Sequence, residues 1–103
     1  MNAISAGQRF AAPEAARAYR SIGPFDADSL PAGLLREHRL KQGTWARLTV
    51  LWGRIGFAWD DGESDGEVIV LQANDTIDVP PVIPHHLESQ GEEFRLAIEF
   101  LAE

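Results

Sequence analysis

The chain of 103 residues has no cysteine and only three histidines. Without cysteine no disulfide forms, and any zinc site must be built from nitrogen and oxygen ligands. No apolar run is long enough to span a bilayer, so no membrane partner is expected. The N-terminus, MNAISAGQRF, lacks the basic start and apolar stretch of a signal peptide, which predicts a cytoplasmic protein. No serine sits in a G-x-S-x-G elbow and no glycine-rich loop precedes a helix. Nucleophilic catalysis and nucleotide binding therefore find no positive support. Basic residues are scarce too: nine Lys and Arg stand against sixteen Asp and Glu, a net charge of −7. An acidic surface repels phosphate backbones and argues against a nucleic-acid partner. It favours cations weakly, and its plainest role is solubility.

The length suits one domain with one modest core, and an apolar content of 45% makes the chain neither disordered nor membrane-embedded. Residues 1–12 show no period. Pro13 to Arg20 suits either a short helix, with proline in its first turn, or an extended arm. Ser21 to Pro31 reads as a loop. From Leu34 the pattern changes to strands: Leu34–Leu40, then Trp45–Trp52 (WARLTVLW), with Ala46, Leu48, Val50 and Trp52 on one face. In RIGFAW, Ile55, Phe57 and Trp59 share a face. Asp60 to Gly66 is a polar hairpin connection, followed by strands at Glu67–Leu71, Thr76–Val79, His85–Glu88 and Phe94–Leu101. About seven short strands at this spacing predict an all-β sandwich or barrel.

The residues able to carry chemistry are few. Pro80, Pro81 and Pro84 in VPPVIPHH stiffen the connection into the strand at His85, because each fixes φ and removes a donor. His85 and His86 are adjacent on a strand and must face opposite ways. His38, far upstream, is on another strand, and two such strands can bring two imidazoles together inside a barrel. Imidazole suits zinc, nickel, iron and copper alike. A third ligand is then needed, and Glu99, the one carboxylate in LAIEFL, is the best candidate, ahead of Glu88 and His86. Plain structural roles stand beside each of these: histidines that are merely hydrogen-bonded, and Glu99 as a charge that guards an edge strand. Arg47 is a candidate for holding an anion. Trp45, Trp52 and Trp59 are core or interface residues.

Asn74-Asp75-Thr76-Ile77-Asp78-Val79-Pro80-Pro81-Val82-Ile83-Pro84-His85 resembles the second cupin motif, in which a turn and a short strand lead through prolines to a metal-binding histidine. The His-x-His and glutamate of the first cupin motif are absent, although Gly53 matches its closing glycine. The stretch Leu34 to Trp45, continuing through Leu48 to Gly53, is similar to the small TehB/YeaR-like cupin family, linked to tellurite resistance and nitrate or nitrite stress. That resemblance implies a single cupin-type jelly-roll β-barrel over residues 21–103, preceded by an N-terminal arm over 1–20. It also implies that His38 and His85 face inward as a pair and bind a divalent metal, with zinc ahead of iron, manganese or nickel. Glu99 would be the third ligand, and a small polar or oxyanion ligand would be held with help from Arg47. Two other readings remain: a metal-free barrel acting as a homodimer or through partner binding, and a cupin metalloenzyme acting on a small acid.

Overall fold

The computed structural model describes residues 9–63 and 66–103. Residues 1–8 of the expected lead-in, and Ser64 and Asp65 of the expected hairpin connection, lie outside them. The elements are β1 (Arg17–Phe25), a 3₁₀ turn (Ala32–Leu35), β2 (Trp45–Trp59), β3 (Val68–Gln72), β4 (Thr76–Val79), β5 (His85–Glu88) and β6 (Phe94–Ala102). The all-β prediction holds. Among the described residues no helix is long and apolar enough to cross a membrane.

β2 is the spine. Along one side it pairs antiparallel with β3 (Ala58 opposite Val68) and then β4 (Ala46 opposite Val79). Along the other it pairs with β5 (Trp59 opposite His85) and then β6 (Trp45 opposite Leu101). β1 extends the sheet beyond β6. Kept straight, fifteen residues of strand would run roughly 50 Å, yet the longest extent of the molecule is 36 Å. The connection from Val79 to His85 sets the same limit. Six chain steps reach about 22 Å at most, whereas their partners Ala46 and Trp59 would be about 43 Å apart on a straight strand. β2 must bend until its halves face each other.

The bend falls where the sequence permits it. The pairing with β6 slips between Val50 and Trp52, a bulge that resets side-chain alternation. Before it the core faces are Ala46, Leu48 and Val50. After it they are Ile55, Phe57 and Trp59. Trp52, expected to continue the first face, is instead half exposed, as is Leu51. Gly53 follows at φ 78°, and a Cβ there would lie 2.6 Å from the Phe94 Cα and nearer still to the Glu93 carbonyl.

The expected closed jelly-roll barrel does not form. β1 pairs only with β6, and β3, β4 and β5 pair only with β2, so the described strands leave an open sheet. The expected strand at Leu34–Leu40 is also corrected. Pro31-Ala32-Gly33 starts a 3₁₀ turn, with Leu34 N–H donating to the Pro31 carbonyl (3.0 Å), and only His38 makes a β-bridge, to His85. Conversely, the stretch expected as an arm and loop carries β1, whose edge position tolerates its polar, exposed side chains.

Gly53→Ala combines a left-handed φ with a backbone clash. It is expected to lower unfolding stability by roughly 2–4 kcal/mol, read as a shifted urea midpoint. An unchanged midpoint would remove Gly53 from its role in the bend.

Candidate functional site

Between the facing halves lies a pocket of about 90 Å³. Ala46 and Leu48 come from the first half of β2, Phe57 from the second, Leu87 from β5, and Ile98 and Phe100 from β6. Twelve side chains line it, ten of them apolar; the other two are His38 and His85.

The two histidines are locked together through their backbones. His38 N–H donates to the His85 carbonyl and His85 N–H to the His38 carbonyl, both at 2.9 Å. Their rings meet edge to face, with centroids 4.3 Å apart. The proline connection contributes to this. Val82 N–H donates to the Leu40 carbonyl (3.0 Å), and Val82 is held at φ 62°, a conformation β-branched residues enter only when their surroundings impose it. Phe57 stacks on the His85 ring at 5.6 Å and 12°, and Trp59 meets it edge-on.

The protonation pattern follows from geometry. His38 Nδ1 lies 2.8 Å from the Arg36 carbonyl and His85 Nδ1 lies 2.8 Å from the Ile83 carbonyl. A carbonyl only accepts, so each Nδ1 carries a hydrogen, and in an uncharged ring the lone pair sits on Nε2. Among the described residues no protein group meets either Nε2. Burial pushes His85 down to about 4, against a weaker upward pull from its bond to the Ile83 carbonyl, so its ring is neutral near pH 7. His86 behaves oppositely. It faces away, bonded through Nδ1 to Asp60 (2.7 Å) and through Nε2 to Glu88 (3.1 Å), and the Asp60 hydrogen bond in particular raises its pKa.

Glu99 and Arg47 are elsewhere. Ile98 and Phe100 line the pocket, as do Ala46 and Leu48, so strand alternation puts Glu99 and Arg47 on the opposite face, directly across from each other. There Arg47 donates twice to Asp78, at 2.7 and 3.1 Å, and Asp78 also accepts from the Ala12 N–H at 2.9 Å. Asp78 was missed from sequence. Its signal was an acidic residue inside the apolar strand Thr76–Val79.

The expected divalent metal is overturned. Among the described residues no three His, Cys, Asp or Glu side chains are grouped to hold a metal ion, and the alternation that aims Ile98 inward carries Glu99 away from the histidines. Zinc, iron, manganese and nickel lose their predicted site, and the metal-centred function falls with it.

Comparisons with known proteins point the same way. The family model described as TehB-like domain matches residues 20–98. A protein of Haemophilus influenzae (strain 10810) named probable S-adenosyl-L-methionine-dependent methyltransferase TehB is 29% identical over 84 residues, which are 80% of this chain and 29% of the relative. The crystal structure of TehB from Haemophilus influenzae superimposes with a TM-score of 0.72 at 25% identity, covering 85% of this chain and 32% of that one. A protein of Escherichia coli (strain K12) superimposes with a TM-score of 0.75 at 24% identity, covering 91% of this chain and 97% of that one; it shows the shared fold. The chain thus spans about a third of the length of TehB. These matches support the TehB side of the resemblance and not its metal-binding cupin side.

The neutral, buried His85 links stability to pH. An unfolded imidazole takes its proton near 6.5 and the folded one near 4. Between those values the unfolded state binds more protons, so the His85 contribution to stability declines as pH falls from about 6.5 to about 4, by about 3 kcal/mol in all. The stability difference between the parent and His85→Gln is expected to shift by that amount between about pH 7 and pH 4, read by urea unfolding at each pH. The carboxylates and His86 are common to both proteins and cancel in the difference. A pH-independent difference would mean that the ring is not buried neutral.

Proposed function

Since the chain belongs to the TehB-like family and spans about a third of TehB, we propose that it is a small-molecule recognition domain whose ligand enters the pocket between the two halves of β2. One observation carries this reading: an apolar pocket whose only polar side chains, among the described residues, are two imidazoles held in orientation through Nδ1 and with Nε2 unmet by the protein. Concave, mostly apolar sites with a few placed polar groups are how proteins hold small ligands. At about 90 Å³, against ~10–15 Å³ for one water, the pocket takes a molecule of several non-hydrogen atoms.

The relative's name brings S-adenosylmethionine into consideration, and the pocket does not fit it. That molecule has a carboxylate, an ammonium, a sulfonium and a nucleoside. No charged side chain lines the pocket to meet them, and unpaired charge in an apolar site is strongly disfavoured. In this reading methyl transfer belongs to the part of TehB that this chain does not span, and the domain contributes ligand capture.

Protein-observed NMR against a library of small fragments tests the reading. Saturable shifts are expected at Leu48, Phe57 and Leu87. Ala46→Leu, which fills part of the cavity, is expected to abolish them while lowering stability by at most about 1–3 kcal/mol. Shifts that survive Ala46→Leu, or that centre on the exposed Leu51 and Trp52, would place binding elsewhere.

A further inference from the structure

Resting on that reading, we propose that the pocket selects an uncharged, largely apolar molecule carrying a hydroxyl or N–H donor, a phenol or indole type of ligand, and rejects anions. The argument starts from what the two histidines have left to offer. Each Nδ1 is committed to a carbonyl two residues earlier in the chain, Arg36 for His38 and Ile83 for His85, at 2.8 Å in both cases. These contacts are intrasegment, and they are reinforced by the backbone bonds that join the two residues. The rings therefore cannot turn over without giving up a hydrogen bond. The uncharged His85 ring therefore presents a lone pair on Nε2, an acceptor, and the His38 Nδ1–H bond leaves its Nε2 as the atom open to a ligand.

A pair of acceptors without protein partners is complemented by a donor and repels another acceptor. Carboxylates and oxyanions are acceptors only, and among the described residues no lysine or arginine lines the pocket to offset their loss of water. Arg47, the arginine expected to help hold an anion, lies on the opposite face and is bonded to Asp78. This argues against the oxyanion expected from sequence. A cationic ligand fares no better, because Asp78, Glu88 and Glu99, the carboxylates of the lining strands, all point away from the pocket by strand alternation. An uncharged donor suffers neither penalty. Phe57, already stacked on His85, and Phe100 provide flat apolar walls for an aromatic body.

The test compares phenol, its methyl ether anisole and benzoate by NMR titration. Phenol is expected to bind. Anisole keeps the shape, but its oxygen cannot donate, so it is expected to bind about tenfold more weakly or less, because a desolvated acceptor is left unmet. Benzoate is expected to show no saturable binding. His38→Phe is expected to weaken phenol while leaving anisole unchanged; a merely structural loss would weaken both. Nitrogen-15 spectra of the imidazoles in the free protein near pH 7 give an independent readout, with the His85 Nε2 unprotonated. Equal affinity for phenol and anisole would overturn the donor requirement and leave the pocket reading intact. Preference for benzoate, or a proton on the His85 Nε2, would overturn the proposal. Failure of all three probes to bind would overturn the pocket reading as well.

Discussion

The whole arrangement depends on one constraint: a single strand has to serve both walls of the site. β2 is longer than the molecule can hold straight, and every other strand except β1 pairs with it directly. The bulge near Leu51 and the left-handed Gly53 turn an over-long strand into two facing halves. The pocket is the space between them. It exists because the strand bends, and its apolar lining exists because the bulge re-aims alternation so that both halves send aliphatic and aromatic side chains inward.

Among the described residues His38 and His85 are the only polar side chains admitted to that space, and both are constrained twice. The backbone exchange between them fixes where the rings begin, and the nearby carbonyls fix how they are turned. Such preorganisation favours binding because little freedom remains to be lost when a ligand arrives. Neutrality in the resting protein keeps His85 compatible with an apolar lining, whereas the solvent-facing His86, one residue on, is held by two carboxylates.

Much of this was legible in the sequence. Thr76–Val79 and His85–Glu88 were read with the bounds the structure has, because period-two alternation bracketed by turn residues and prolines is a local signal. The opposed facing of His85 and His86 follows from the same rule. Other features were not local. WARLTVLW and RIGFAW looked like separate strands because Gly53 breaks the alternation, yet the ladder runs through it. β1 is mostly exposed and shows no period-two alternation, with only Ile22 and Phe25 half-buried, so little in its sequence marks it as a strand; it is ordered by its pairing with β6. The open sheet could not be seen either, since closure depends on which edges meet. Glu99 was drawn into a metal site by its apolar neighbours Ile98 and Phe100, and those neighbours are what aim it outward. The resemblance supplied the family, and the cupin chemistry attached to it did not carry over.

The shared strand also sets how such a domain can change over evolutionary time. One residue inserted between Arg54 and Trp59 would put the following side chains of β2 on the wrong face and disturb its pairing with β3 and β5 at once. By contrast, the exposed residues Ser89 to Glu92, between β5 and β6, make no backbone pairing with β2 among the described residues, and contact with the spine resumes at Glu93, whose carbonyl accepts from the Arg54 N–H. Length variation is therefore tolerated in that exposed turn and excluded from the spine, so a lineage can remodel this part of the rim while the distance across the interior stays fixed.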